Sequence, residues 1–227
     1  MNTFIEPARG VRGAQKAETR ERILAAARDH FESSGFEAAN VRAIGASAGV
    51  AAGTVLLHFR DKRDLLHAAL FDDLDRLIDE ALAERTRARR FDRQLSALAQ
   101  PFFAYYAARP RLSRTLLQEA LLAEPPWRER YTAQIVRVSA HIAALADAAK
   151  ARGELDAGAN GPLLGAAFFS FYYFALLGWA QGALPSPGPL FDQLMAAHLH
   201  TVQPQKTSRA ATKTTLSTSA KSIRRTS

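Results

Sequence analysis

Residues 40–62 read NVRAIGASAGVAAGTVLLHFRDK. Asn40 is a good N-cap, and Val41, Ile44 and Ala48 then recur at helical spacing, which predicts one apolar face on a two-turn helix. Gly49 follows, the residue that tolerates the left-handed conformation closing a helix. Val50 is the apolar plug expected after such a turn, and a second segment from about Ala51 puts Val55 and Phe59 on one face. Asp61, with Asp64 three residues later, predicts a cap for a helix beginning at Lys62. Two short helices across a glycine turn form a helix-turn-helix.

Working outward, residues 19–35, TRERILAAARDHFESSG, place Ile23, Ala27 and Phe31 on one stripe before a glycine stop. They predict the third helix that the pair needs to bury its apolar faces. Residues 19–66 then carry T-R-x-x-I-L-x-A-A, F-x-x-x-G-F, A-G-V-x-x-G-T-x-x-x-H-F and K-x-x-L-L. On these residues the chain resembles the N-terminal DNA-binding domain of the TetR-type repressors. The rest resembles that family only in length and helical pattern.

The resemblance implies a three-helix head, a helical ligand-sensing and dimerisation bundle, and a homodimer on palindromic double-stranded DNA. It places the second short helix in the major groove. Arg42 matches an arginine that reaches a base edge or phosphate, Thr54 and His58 match recognition-helix positions, and Lys62 matches a lysine facing phosphate at a helix start. The remaining recognition positions are Ala51, Ala52, Gly53, Leu56 and Leu57. The family often has a polar pair where Ala51 and Ala52 stand, and usually a tyrosine at the position of Leu56. Alanine and leucine make no bidentate base contacts, so base reading is expected to lean on Arg42, thymine methyls and DNA shape.

The formal charge of +8 lies in the two ends. Residues 1–20 hold four Lys/Arg against two acids, residues 204–227 six against none, and residues 21–203 twenty of each. The basic balance therefore describes arms, not a basic face on the body. Residues 1–18 are expected to form a flexible arm in which Arg9, Arg12 and Lys16 could follow phosphates, and 204–227 a disordered tail too poor in apolar residues to fold. Absence of cysteine excludes disulfides and thiolate metal sites. The first twenty residues lack an apolar stretch of the kind that marks a secretory signal, and the expected location is cytoplasmic.

The body, 67–203, reads as helix throughout, with no sustained alternation of the kind strands show. A long helix is expected from Asp61 to about Arg90, its acids Asp72, Asp73, Asp75, Asp79 and Glu80 forming a solvated face. Arg85, Arg87, Arg89 and Arg90 mark its far end. Pro101 is expected to kink or split the next helix, Pro110 opens another, and Pro125-Pro126 breaks the chain. A stripe from Tyr131 to Ala149 stops at Gly153. Residues 163–184 carry no formal charge and are apolar on every side, long enough to span a bilayer but expected to be buried by protein. With 189–199 they are expected to form the dimer interface rather than a membrane span.

Phe102, Phe103, Tyr106, Leu117, Trp127, Phe168 and Tyr172 are candidates to line an effector cavity, with Gln118, Gln134 and His141 as polar anchors. Such a cavity would take a small apolar or aromatic effector. No residue pattern supports a metal, a cofactor or a catalytic group, so no enzyme activity is expected. Gly45-Ala46-Ser47-Ala48-Gly49 fits the nucleophile elbow of a serine hydrolase, but that elbow must join a strand to a helix. A dimeric interaction module whose head no longer reads DNA is the other alternative.

Overall fold

The computed structural model describes residues 8–83, 88–121 and 123–204, excepting the side chains at 8–11, 120 and 121. The basic tail from 205 on, Arg85, Arg87 and the first seven residues lie outside the described residues, as does the side chain of Arg9. Among the described residues there are nine α-helices and no strand: α1 (Ala8–Ser34), α2 (Val41–Ser47), α3 (Ala52–His58), α4 (Lys62–Ala83), α5 (Phe91–Ala108), α6 (Pro110–Leu121), α7 (Trp127–Ala151), α8 (Gly161–Ala180) and α9 (Gly188–His200).

Helix α1 begins well before the apolar stripe that revealed it. Residues 8–18, expected within a flexible arm, are helical because Ala, Arg, Gln, Lys and Glu are all strong helix formers. No apolar stripe at helical spacing runs along that extension, so periodicity could not detect it. Its far end packs with the rest of the head: Ile23, Leu24, Ala27 and Phe31 are buried against Ile44, Val55, Phe59, Leu65 and Leu66.

The head and body share α4. Its first turn closes the head, and its middle residues join a core continuous with Leu95, Phe103, Ile142, Leu176 and Phe191. Its start is fixed as expected: Asp64 N–H donates to Asp61 Oδ1 at 2.8 Å, while Asp64 Oδ2 accepts from Arg60 N–H at 3.0 Å. Helix α5 stays unbroken through Pro101. The carbonyl that a proline leaves unpaired belongs to Ala97, which is exposed, so water can satisfy it without a break in the helix.

In the body, α8 crosses α7 closely because Gly161 and Gly165, one turn apart, leave no side chain over Ala143 and Ser139. The expectation that this apolar helix is buried all round is not met within one chain. Leu164, Phe168, Tyr172 and Leu176 are buried, but only 33% of its most apolar window is, and Leu163 and Phe174 are exposed at 61% and 63%. By length and composition α8 could cross a membrane.

Candidate nucleic-acid interface

The turn after α2 is built from local chemistry. Asn40 Oδ1 accepts from Ala43 N–H at 2.8 Å, capping α2. Gly49 adopts φ +70, which a side chain would resist. The chain then reverses through Val50, whose N–H donates to Gly45 O at 2.8 Å. Helices α2 and α3 are thereby set at 99° to one another, within the range of helix-turn-helix pairs.

Buried Val55 and Phe59 hold α3 to the head, which turns the opposite face outward. That face carries Gly53, Leu56 and Leu57, with Ala51 exposed and Ala52, Thr54 and His58 half-buried. Arg42 is exposed on α2. Burial lowers the His58 pKa, and the neighbouring charges of Lys16 and Arg20 lower it further. Lys16 and Arg12 lie exposed on the helical extension of α1, four residues apart on one side of the helix and on the side of Arg20, whose guanidinium lies 5.3 Å from the Phe59 ring centre. The extension therefore carries its positive charge beside the end of α3.

Lys62 is placed differently from what the resemblance implies. Its Nζ donates to Phe36 O at 2.7 Å and Glu37 O at 3.0 Å and lies 4.6 Å from the Phe36 ring centre. The ammonium holds the loop after α1 with two of its three N–H donors.

The aspartates of α4 are the largest departure from the sequence reading. Only Asp79 and Glu80 lie on a solvated face, whereas Asp72, Asp73 and Asp75 are largely withdrawn from water, and each of the four aspartates meets arginine on a neighbouring helix. Asp72 pairs with Arg20 of α1 and, at 2.7 Å, with Arg130 of α7. Asp73 takes Arg28 of α1 at 2.6 Å, Arg76 and the Tyr105 hydroxyl, the last at 3.1 Å. Asp75 accepts from Arg130 and from Gln134 Nε2, and Asp79 pairs with Arg137. Burial alone would raise the Asp72 carboxyl, but hydrogen bonds and charge from Arg20 and Arg130 hold it below the usual value. A row of acids on one helix gave no hint of this, because the arginines that meet it come from residues 20–28 and 130–137.

Further ties run from head to body. Glu32 of α1 caps α6, accepting from Leu112 N–H at 2.7 Å and Arg111 N–H at 3.3 Å. Trp127 Nε1 donates to Asp64 at 3.1 Å, and its ring stacks on Phe71, with centres 5.5 Å apart. His67 stacks on the same tryptophan, its Nε2 3.7 Å from Glu119, with burial lowering its pKa against the opposing effect of that carboxylate. His67 was missed by the sequence reading, which had no signal for a histidine in an otherwise apolar stripe.

The proposed effector residues do not form one cluster. Phe102, Phe103, Tyr106, Phe168 and Tyr172 are buried among α5, α8 and α9, the Phe103 and Tyr172 rings stacked with centres 5.0 Å apart and Phe191 joining them. Trp127 and Gln134 lie elsewhere, on the seam between α4 and α7, where Gln134 also donates to Phe71 O at 3.2 Å. Leu117 is buried on α6, Gln118 is exposed, and His141 is part-buried, its pKa lowered by burial alone.

Ser47 of the G-x-S-x-G pattern does meet a histidine, its Oγ lying 2.8 Å from His30 Nε2. The pattern ends a helix rather than joining a strand to one. The N–H groups of Ala48, Gly49 and Val50 donate to Ile44 O, Ala46 O and Gly45 O, so none is free to stabilise an oxyanion. The geometry supports a tie between α1 and α2.

Residues 23–69 match the family model described as bacterial regulatory proteins, tetR family. The HTH-type transcriptional regulator UidR of Escherichia coli strain K12 is 40% identical over 60 residues, which are 26% of this chain and 31% of UidR. The match thus spans about a third of that relative's length. Among solved structures, FadR from Bacillus subtilis, a transcriptional regulator in complex with stearoyl-CoA, superposes with a TM-score of 0.66 at 17% identity, covering 81% of this chain and 99% of that one. SmeT, the repressor of the Stenotrophomonas maltophilia multidrug efflux pump SmeDEF, gives 0.62 at 21% identity, covering 83% and 94%. Residues 23–69 thus form a head of the tetR type, and the chain as a whole shares the fold of these solved structures.

Proposed function

We propose that the protein is a transcriptional repressor that binds a palindromic operator as a homodimer and is released by a small apolar or aromatic effector. The observation that carries this reading is the helix-turn-helix, whose α3 is seated by Val55 and Phe59 and turned outward on its other face. Two such heads would enter successive major grooves about 34–36 Å apart. Arg42 contacts a base edge or phosphate there, Thr54 and His58 meet the groove, and Lys16 and Arg12 on the extended α1 lie along phosphates. Enrichment of genomic fragments by the full-length protein tests the reading directly. Arg42→Ala is expected to weaken the enriched duplex at least tenfold, and Lys16→Ala to reduce the salt dependence of binding by about one phosphate contact. Equal binding of every duplex by wild type and both variants would count against it.

The dimer reading rests on α8 and α9. Leu163 and Phe174 leave an apolar strip on α8 that a second copy would cover, giving a four-helix contact with 189–199. Phe174→Arg places a charge in that contact and is expected to yield a monomer by light scattering with unchanged helicity. Retention of a full-mass dimer would move the interface elsewhere.

For the effector, the stacked rings around Phe103, Tyr172 and Phe168 offer apolar surface that a ligand could part. FadR's stearoyl-CoA and SmeT's link to an efflux pump favour a hydrophobic compound of the same general chemistry. The ion pairs from α4 to α1 and α7 supply a route by which parting these helices would move the heads. An effector can act this way only by binding the two states with different affinity.

A further inference from the structure

We infer that Leu56 and Leu57 are specificity-determining residues that read thymine methyl groups in the major groove. The inference rests on the DNA-binding reading above and names the base feature that α3 recognises.

Five large hydrophobic side chains are exposed among the described residues, and two of them sit side by side on this seven-residue helix, Leu56 at 52% and Leu57 at 83%. The remaining three lie on α7 and α8. Isolated exposed leucines are ordinary on protein surfaces, but this pair forms the outward tip of the element that a helix-turn-helix inserts into DNA. With Val55 and Phe59 buried, the outward stripe is Gly53, Leu56 and Leu57. Gly53 has open space around it, so the helix backbone can approach the base edges closely. Arg60, beyond the end of α3, is turned to Asp64, its Nη2 donating at 3.1 Å.

The tip therefore presents carbon where a base-reading helix usually presents amides or guanidinium. Among the groups on the floor of the major groove, thymine C5-methyl is the apolar one. Guanine and adenine offer hydrogen-bonding atoms that a leucine would desolvate without replacing, which penalises them at the same positions. The leucine pair thus favours thymine both by contact and by exclusion. Each methyl buried against a leucine is worth about fourfold in affinity. Two half-sites bring the expected preference of a dimer to more than tenfold.

The test uses full-length protein and a duplex enriched by it from a random pool. The winning duplex is resynthesised with uracil for thymine, which removes the methyl and leaves Watson–Crick pairing, and both forms are titrated by fluorescence anisotropy at matched salt. Wild type is expected to bind the thymine duplex more than tenfold tighter. Leu57→Ala is expected to lose most of that preference; at 83% exposure the truncation leaves the core untouched. Equal wild-type affinity for the two duplexes would overturn the inference while leaving DNA binding intact, and would free the leucines for a protein contact. A preference that survives in both Leu56→Ala and Leu57→Ala would overturn it too. Failure to enrich any duplex would overturn the DNA-binding reading, and this inference with it.

Discussion

Asp73→Ala is expected to lower the thermal midpoint by about 10 °C, whereas Asp79→Ala, six residues along the same helix, should change it by no more than 2–3 °C. Both carboxylates are paired with an arginine of another helix, so a tally of salt bridges would rank them together. Burial separates them. The Asp73 and Arg28 side chains are 10% and 8% exposed, while those of Asp79 and Arg137 are 67% and 42% exposed. Removing Asp73 leaves the Arg28 guanidinium buried with only Ala69 O, 3.3 Å away, and strips the Tyr105 hydroxyl of its acceptor. An uncompensated buried charge costs about 3–5 kcal/mol. At roughly 2–4 °C per kcal/mol for a chain of this size, that is the shift above. An exposed pair is worth at most about 1 kcal/mol.

The double replacement Arg28→Met with Asp73→Leu should recover most of the loss, because a well-packed apolar pair commonly matches a buried ion pair. The Arg28 Nε is already without a hydrogen-bond partner, which makes the native pair an imperfect one. Stability would then return while the polar tie between α1 and α4 stays broken. Differential scanning calorimetry on the four proteins reads all of this. Asp73→Ala costing no more than Asp79→Ala would sink the claim that burial decides their worth.

Gly45→Val is expected to weaken operator binding at least a hundredfold while leaving helicity and dimer mass unchanged. A Cβ on Gly45 would lie 3.0 Å from Val50 O, 3.3 Å from Val55 Cγ2 and 3.4 Å from the carbonyl carbon of Ala51. Two of these contacts are backbone, which cannot rotate away as a side chain can. Alanine here gains up to about 1 kcal/mol of helix propensity and needs a shift of a few tenths of an ångström, so Gly45→Ala should fold and bind nearly normally. Valine adds two methyl groups aimed at the start of α3 and prises it off α2. Misplacing the recognition helix spoils its fit to the groove, whereas the body core, far from residue 45, is untouched. Anisotropy titration of the enriched duplex with circular dichroism distinguishes this from unfolding. Full binding by Gly45→Val would show that α3 is not held by that close approach.

The head was legible from sequence because its determinants are local. Asn40, Gly49, Asp61 and Asp64 each act within four residues, and the stripes of Ile23, Ala27 and Phe31 or of Val55 and Phe59 repeat at the helical period. The outward face of α3 was legible for the same reason: once Val55 and Phe59 face inward, Leu56 and Leu57 must face out. The tie of Lys62 to the loop after α1 was not legible, because the carbonyls it meets, at Phe36 and Glu37, are 25 and more residues away in sequence.

By itself the sequence determined the all-helical class, the helix-turn-helix and the separation of charge into the chain ends. These follow from periodicity, capping and composition, which operate over one or two turns. Only the tertiary structure decided that the α4 aspartates are tied to Arg20, Arg28, Arg130 and Arg137, that Gln134 and Trp127 belong to that seam rather than to the ring cluster, and that one side of α8 is left open. Those outcomes depend on which helices meet. A side chain's partner across 40 to 60 residues is set by the packing of whole helices, and no local rule encodes it.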